Sequence, residues 1–467
     1  MENTDFVKVW TGETISLIGS QITQLALPLV AIYTLQASAF DVGLLNASRF
    51  LPVVIISLFA GVWLDRRRRR PILISSNLGR AALTALIPIS NAVGLLSIWL
   101  LCVLCLMIGV LTVIFDVGLL SYIPGLVERR HLTEANSKLQ TSWSLAGIVG
   151  PGLGGLLIGL ISAPVTMSLD AISFVASALV LFAVRRPEPE PVQASEHAAM
   201  WPSIKEGLGT VFSSPLLRAL LSQSAVFNLC YHAMSTVFVV YAVRYLGLSA
   251  LQLGMVIGSV SVGALAGAFS NRRITPRIGL GRVLRINTAF VTTMPLLLAV
   301  PHGNGIASMA ILMVAQLFYG ANLVIYNVNT VTLRQILTPN RLLARMNASY
   351  RLLLFGMVPI GALSGGLLGQ LFGLRTAMLI TVVTMLSPVA WTFFSPVFRL
   401  TAMPEPVTED TAYPAPAEAA EELVPEMLSE ALPSGALPVD AQPGQKPQRP
   451  NLVAGVAGDA SESSVTH

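Results

Sequence analysis

The feature that most constrains this chain is the recurrence, along its first 400 residues, of apolar stretches that each run about twenty residues, the length of a helix crossing a bilayer. They lie near 9–33, 41–64, 72–92, 95–119, 138–160, 163–184, 216–244, 249–271, 283–301, 305–333, 346–371 and 374–398, which predicts twelve spans. Hydrocarbon offers no partner to backbone N–H and C=O groups, so such stretches satisfy themselves as helices, and Pro28, Pro52, Pro151, Pro295 and Pro359 are tolerated within them. Only 11% of residues are charged, against about 25% in a soluble domain, which excludes an ordinary water-soluble fold. No cleavable leader is expected, because the first apolar run, from near Val9, is too long for one and no small-residue cleavage site follows it. Cys102, Cys105 and Cys230 lie inside apolar runs without companion ligands and read as packing residues.

The polar loops fix a direction. With the N-terminus inside, the cytoplasmic loops hold Arg66–Arg70, Arg129, Arg130, Arg185, Arg186, Lys205, Arg272, Arg273, Arg277, Arg282, Arg334, Arg341 and Arg345, and the opposite loops hold only Arg244 and Arg375. Basic loops stay in the cytoplasm, so both termini are expected there, on a multi-pass protein of the cell's cytoplasmic membrane. The net charge of +5 therefore belongs to topology and calls for no nucleic acid.

The spans fall into two halves. Residues 1–184 and 216–398 each carry six, separated by a Pro/Glu-rich linker over 185–215 and followed by a Pro-, Ala- and Glu-rich tail over 399–467 that reads as disordered. Shifting the chain by 211 positions places Asn136 on Asn347, Gly150 on Gly361, Gly154 on Gly365, Gly155 on Gly366, Gly43 on Gly254 and Arg66 on Arg277. One offset serving several places marks an internal repeat. An even number of spans per copy keeps both copies in the same orientation, an architecture found among secondary transporters with a midplane site between halves.

Two motifs carry a resemblance. "GVWLDRRRRRP" (61–71) resembles the loop signature between spans two and three of the major facilitator superfamily, with Gly61, Asp65 and Arg66 matching and Arg68 in place of a glycine. "AGIVGPGLGG" (146–155) resembles its antiporter motif in span five, through Gly150, Pro151, Gly154 and Gly155, with Ala146 for the first glycine. The resemblance implies an all-α membrane fold of twelve helices in two pseudo-symmetric six-helix bundles. It also implies an inner gate latched by Asp65 with Arg66 and Arg69, and an exporter of the drug–proton antiporter type. "GSQITQLALPL" (19–29) and "SAFDVGLL" (38–45) resemble the branch of macrolide-efflux and enterobactin-type siderophore exporters. The substrate class implied is a small amphipathic molecule, namely a drug, antibiotic, siderophore or other secondary metabolite. No enzyme activity and no cofactor beyond a proton gradient are expected, and the lipid bilayer and the substrate are the partners of a monomer.

Charged and polar groups inside spans are the candidates for coupling and binding. Glu13, Asp116 and Asp170 are the proton-coupling candidates. Competing readings are a snorkelling Glu13 and an Asp116 paired with Arg80. Asp41, at the outer end of span two, reads as a helix cap. The substrate-cavity candidates are Gln21, Gln24, Arg49, Asn228, His232, Tyr319, Asn322, Tyr326 and Asn327, from polar stripes on spans one, seven and ten together with the isolated Arg49. The resemblance implies that spans one, four, seven and ten line the cavity. Phe50, Trp143 and Phe227 add aromatic surface. No Walker-type phosphate loop occurs. The alternatives are an importer or lipid translocator of the same fold, and a non-transporting membrane sensor or scaffold.

Overall fold

The computed structural model describes residues 4–65, 67–185, 188, 208–339 and 342–393. Arg66, most of the 185–215 linker and the whole 399–467 tail lie outside the described residues, as do the side chain of Asp65 and the surroundings of Gly61.

The first half comprises α1 (Thr4–Leu29, continued by a π-turn over Val30–Thr34), α2 (Ala39–Asp65), α3 (Arg69–Ala92), α4 (Ile98–Leu126), α5 (Leu132–Ile161) and α6 (Ala163–Phe182). The second half comprises α7 (Pro215–Arg244), α8 (Ala250–Ile278), α9 (Leu280–Thr293), α10 (Ile306–Ile336), α11 (Leu343–Phe372), α12 (Leu374–Thr384) and α13 (Ser387–Phe393). Eleven of the described helical stretches are long and apolar enough to span a membrane. The ninth expected span is the exception: α9 ends at Thr293 and passes into a 3₁₀ turn, Met294–Ala299, at Pro295, whose ring nitrogen has no proton for the helical ladder. The last expected span likewise breaks into α12 and α13 ahead of Pro388, which has no N–H to donate to the Thr384 carbonyl four residues back. Pro28, Pro52, Pro151 and Pro359 lie within continuous helices.

The internal repeat is written into the helix boundaries. Thr4 and Pro215, Ala39 and Ala250, Arg69 and Leu280, Leu132 and Leu343, and Ala163 and Leu374 all open helices and all differ by 211; only α4 and α10 depart, by three residues. Local chemistry follows the same offset. Asp41 accepts from the backbone N–H (2.8 Å) and hydroxyl (2.8 Å) of Ser38 while its own N–H donates to that hydroxyl, and Ser249 and Gln252 form the same capping box. The N-cap of α2 is therefore Ser38, and Asp41, expected as the cap, is instead the N3 partner that closes the box. Among the described residues two non-glycine residues have positive φ, Gln36 and Ser162, and they fall on Gly247 and Gly373, which have positive φ as well.

Each half packs internally, chiefly α1 and α3 on α6 and α2 on α4 in the first, α8 on α10 and α7 on α11 in the second. The halves meet along two seams, α2 against α11 and α5 against α8. Small residues make both seams. A Cβ on Gly155 would strike the Ala250 carbonyl and lie 2.9 Å from Leu251 Cα; one on Gly366 would lie 2.8 Å from the Ala39 carbonyl and 3.1 Å from Phe40 Cα. These are the same contacts moved by 211. The remaining glycines of the span-five motif face inward: Gly150 meets Gln21 and Gly154 meets Ile22 on α1, while Gly361 meets His232 and Gly365 meets Ala233 on α7. The motif therefore serves close approach on two sides, to the neighbour in its own half and to the other half.

Both seams run from the end of the bundle remote from the start of α1 towards the middle, through Gly43, Gly147, Gly155, Gly254 and Gly366. A hydrogen bond from the Asn46 amide to Thr236 Oγ1 (3.2 Å) and a Phe50–His232 ring contact (5.6 Å) lie on the same side, joining α2 to α7. Towards the other end, Ile55, Phe59 and Trp63 on α2 and Val262, Leu265 and Phe269 on α8 are exposed.

At that second end, the basic loop after α2 does structural work beyond topology. Arg70 donates to the Leu181 and Phe182 carbonyls at the close of α6, groups that a helix end leaves without intrahelical partners. Glu188 in turn accepts the backbone N–H groups of Arg69 (2.5 Å) and Arg70 (3.1 Å) at the start of α3, where a carboxylate also meets the positive end of the helix dipole. Lys8 pairs with Asp5 (2.9 Å) and donates to the Ala183 carbonyl.

Candidate functional site

Two polar regions occupy the interior, one in each half. The first is ionic. Arg80 on α3 is buried, its guanidinium held between the Phe115 ring (4.1 Å) and the Phe174 ring (4.4 Å), and it donates to the Asn77 side chain. Asn77 donates onward to Ser177 on α6 (3.0 Å). Three carboxylates surround this cation closely enough to feel its charge, in the order Asp116, Glu13 and Asp170. None makes a salt bridge with it among the described residues.

The carboxylates differ in setting. Glu13 on α1 is only 8% exposed and its Oε2 has no hydrogen-bond partner, so it does not snorkel to the surface. Asp170 on α6 is 1% exposed, accepts from Ser173 Oγ (3.1 Å) and fits beside Gly19, where a Cβ would come within 2.6 Å of its Oδ1. Asp116 on α4 is exposed, and besides Arg80 it feels Arg351 on α11 of the other half.

The second region is an aromatic chamber of about 270 Å³ between α7, α10 and α11. Its lining includes Ser224, Phe227, Asn228, Tyr231 and His232 from α7, Tyr319, Tyr326, Asn327, Thr330 and Arg334 from α10, and Tyr350 from α11. Phe227, Tyr231 and Tyr319 stack nearly parallel, with centroids 6.1 and 5.5 Å apart. Tyr350 donates to Ser224 Oγ (2.8 Å) and carries the Arg334 guanidinium 3.9 Å above its ring. The hydroxyls of Tyr319, Tyr326 and Thr330 and the Nε of Arg334 are buried without a hydrogen-bond partner.

Two helical halves related by an offset, seams of small residues and a polar interior describe a membrane transporter. The family model described as "transmembrane secretion effector" matches residues 1–424. The chain belongs to this family of the major facilitator superfamily. Among relatives of this exporter, macrolide efflux protein A of Streptococcus pyogenes is 24% identical over 57% of this chain and 67% of its own length. The multidrug efflux pump Tap of Mycolicibacterium fortuitum is 27% identical over 79% and 90%. The enterobactin exporter EntS of Shigella flexneri is 26% identical over 61% and 66%. The fold matches that of a bacterial homologue of the lysosomal transporter Spinster in its inward-facing, unoccupied conformation, with a TM-score of 0.63 at 14% identity, over 85% of this chain and 96% of that one. The family and its relatives are transporters, not enzymes.

Of the residues singled out in the sequence of this exporter, Asn228, His232, Tyr319, Tyr326 and Asn327 come together in the chamber. Gln21 packs on Gly150, Gln24 is exposed, and Asn322 turns its amide back onto the Phe318 carbonyl (2.8 Å). Arg49 stacks on Phe50 (5.5 Å) and feels Cys105 and Asp170 within its own half. Trp143 is 58% exposed and stands apart from the chamber lining. Tyr231, Thr330, Arg334 and Tyr350 line the chamber without having been singled out for it. The apolar runs place Arg334 in a loop, whereas α10 continues past the apolar run and carries it within the helix. A signal for it existed: Tyr319, Tyr326, Thr330 and Arg334 recur at helical spacing.

Proposed function

We propose that this exporter is a proton antiporter in which the first half carries the ion and the second carries an amphipathic substrate. The observation that bears most of this reading is a loss of charge across the repeat. The positions 211 beyond Glu13, Arg80, Asp116 and Asp170 are Ser224, Val291, Asn327 and Thr381, all neutral. Two halves built on one plan need not differ at four positions within their spans unless one of them handles charge. A buried carboxylate lacking a hydrogen-bond partner, as Glu13 is, costs much to keep ionised and can exchange a proton.

With both termini in the cytoplasm, as the distribution of arginines favours, the closed seams lie on the outer side and the arrangement is inward-open. Substrate then enters the chamber from the cytoplasm. Rocking of residues 1–184 against 216–398 would open the α2–α11 and α5–α8 seams, bring the inner ends together near Asp65, and release substrate outward. Asp116 and Arg351, on facing halves, would approach in that step. The exporter acts as a monomer in the cytoplasmic membrane, with no energy source beyond the proton gradient. Relatives named for macrolide, multidrug and enterobactin efflux support an amphipathic small molecule as cargo.

The test is efflux of a lipophilic dye, a macrolide and a catechol siderophore from cells lacking their own pumps, comparing wild type with Glu13→Gln, Asp116→Asn and Asp65→Asn. Extrusion that a protonophore abolishes and Glu13→Gln or Asp116→Asn weakens is the expected result. Extrusion indifferent to protonophore and to both substitutions would sink the antiport reading.

A further inference from the structure

Between Gly207 and Pro404 the chain contains thirteen arginines and no lysine, aspartate or glutamate. The wall formed by α7, α10 and α11 can therefore offer a bound cation no counter-charge of its own. It can offer an anion a great deal. Arg334 lines the chamber with its guanidinium over the Tyr350 ring and its Nε unsatisfied, and among the described residues no carboxylate pairs with it. Stacking on an aromatic face leaves the edge of a guanidinium, which carries its N–H donors, available to a planar acid group. Tyr319, Tyr326 and Thr330, at most 9% exposed, add three buried hydroxyls that have no partner. Ser224 and Thr330 are close enough to the Tyr326 hydroxyl, and Tyr231 to that of Tyr319, to pair with a small adjustment, but as the side chains stand none of these pairs has hydrogen-bond geometry. Buried polar groups without partners are uncommon, and those here converge on a space with room for a ligand.

The other end of the chamber is a different surface. Phe227, Tyr231 and Tyr319 present a parallel aromatic stack, edged by His232. Tyr319 and Arg334 are fifteen residues apart on α10, or about 22 Å along the helix, so the stack and the cation sit at opposite ends of an elongated site. A cationic amphiphile would have to draw on Asp116, across in the other half, and forgo the fit between ring stack and guanidinium.

We infer that the chamber selects an aromatic anion, a carboxylate or phenolate on a planar ring system, with its acid group on Arg334 and its ring system extending from there along α10 towards Tyr231 and Tyr319. The inference rests on the exporter reading of the same site and adds the sign and shape of the cargo. Arg334 is a specificity-determining residue in this assignment, and Tyr326 and Thr330 supply donors to the bound acid.

The test is equilibrium binding to the purified full-length chain by calorimetry, with three matched probes short enough to report the charge preference of the Arg334 end alone: 2-naphthoate, 2-naphthylmethanol and 2-naphthylmethylammonium. Naphthoate is expected to bind tighter than the ammonium by about tenfold or more, the scale of one charge-assisted hydrogen-bonded contact. In Arg334→Gln that preference is expected to vanish while the alcohol binds within about twofold of wild type, which shows the site intact. Arg334→Lys should restore part of it. The inference is overturned if the ammonium binds as tightly as naphthoate, if the preference survives in Arg334→Gln, or if naphthoate does not bind at all. Because binding is measured without a gradient, a chain that prefers naphthoate but shows no protonophore-sensitive efflux fails the antiport reading alone. One that extrudes compounds yet prefers the ammonium fails this inference alone.

Discussion

Adding one methyl group at each seam should tip the conformational equilibrium of the exporter. A Cβ on Gly155 meets the Ala250 carbonyl, with Leu251 Cα at 2.9 Å and Ala250 C at 3.0 Å, and one on Gly366 meets Ala39, Phe40 and Gly43 at 2.8–3.1 Å. These are backbone atoms of the other half, so no side chain can rotate away and the halves themselves must part. Overpacking of this kind costs about 1–3 kcal/mol per site. The cost applies only while the outer seams are closed, so it shifts the balance towards the outward-open arrangement by the same amount. Taking about 1.4 kcal/mol per site, Gly155→Ala or Gly366→Ala alone shifts the equilibrium roughly tenfold. The double variant, on separate seams, shifts it roughly a hundredfold if the two add. The assay is labelling from outside of a cysteine placed at Asn46, beside Thr236, by a membrane-impermeant maleimide, in a chain whose buried Cys102, Cys105 and Cys230 are replaced. Gly152→Ala is the control, since nothing lies within 4 Å of a Cβ there. Labelling should rise with each seam substitution and rise furthest in the pair. Unchanged rates in the double variant would refute the claim that these glycines hold the seams shut.

Other expectations follow from single sites. Ser162 has φ 88° and ψ 155°, a region that suits glycine alone, and its repeat partner is Gly373; Ser162→Gly should raise the melting temperature, relieving about 1–3 kcal/mol of strain, and Gly373→Ser should lower it. Ser38→Ala removes the hydroxyl that caps α2 and should destabilise by about 1 kcal/mol, read as a lower denaturation midpoint in detergent. Arg80→Met strips the cation from among three carboxylates and should cost about 3–5 kcal/mol, seen as poor yield of folded protein. Adding Glu13→Gln to that variant should recover part of the yield; no recovery would mean that the two charges do not depend on each other.

Much of the fold could be read directly from residues. Span count, the 211 offset and the capped start of α2 around Asp41 depend on local chemistry, and local chemistry is the same in a peptide as in the bundle. What escaped were features set by how helices cross. A hydropathy window closes a span at its first charge, which put Arg334 in a loop, yet α10 runs on to Ile336 because a helix keeps its backbone bonded beyond the bilayer. The break at Pro295 could be read as a proline but not as a helix end, since Pro28, Pro52, Pro151 and Pro359 leave their helices whole. Gln21, Gln24 and Asn322 share polar stripes with residues that do line the chamber. Which side of a stripe faces it is decided by tilt against neighbours, and no spacing along one helix records that.

The repeat turns these local readings into a division of labour. Where the two copies share a residue type, the shared feature is mechanical: Gly150, Gly154 and Gly155 make in one half the approaches that Gly361, Gly365 and Gly366 make in the other. Where the copies differ, the difference is chemical. Gln21 and His232 occupy equivalent places beside equivalent glycines, yet His232 edges the aromatic stack and contacts Phe50 across the seam. Arg80 sits between two phenylalanines where the second copy has Val291. Shared positions thus build a hinge that is symmetric under exchange of the halves, which rocking requires. In the proposed antiport, differing positions break that symmetry so that an ion and a larger molecule would bind on opposite sides of one hinge. A neutralising change in the first half should therefore alter coupling without altering probe affinity. A change at Tyr231 or Arg334 should do the reverse, and a variant at either place that moved both equally would argue against separate sites.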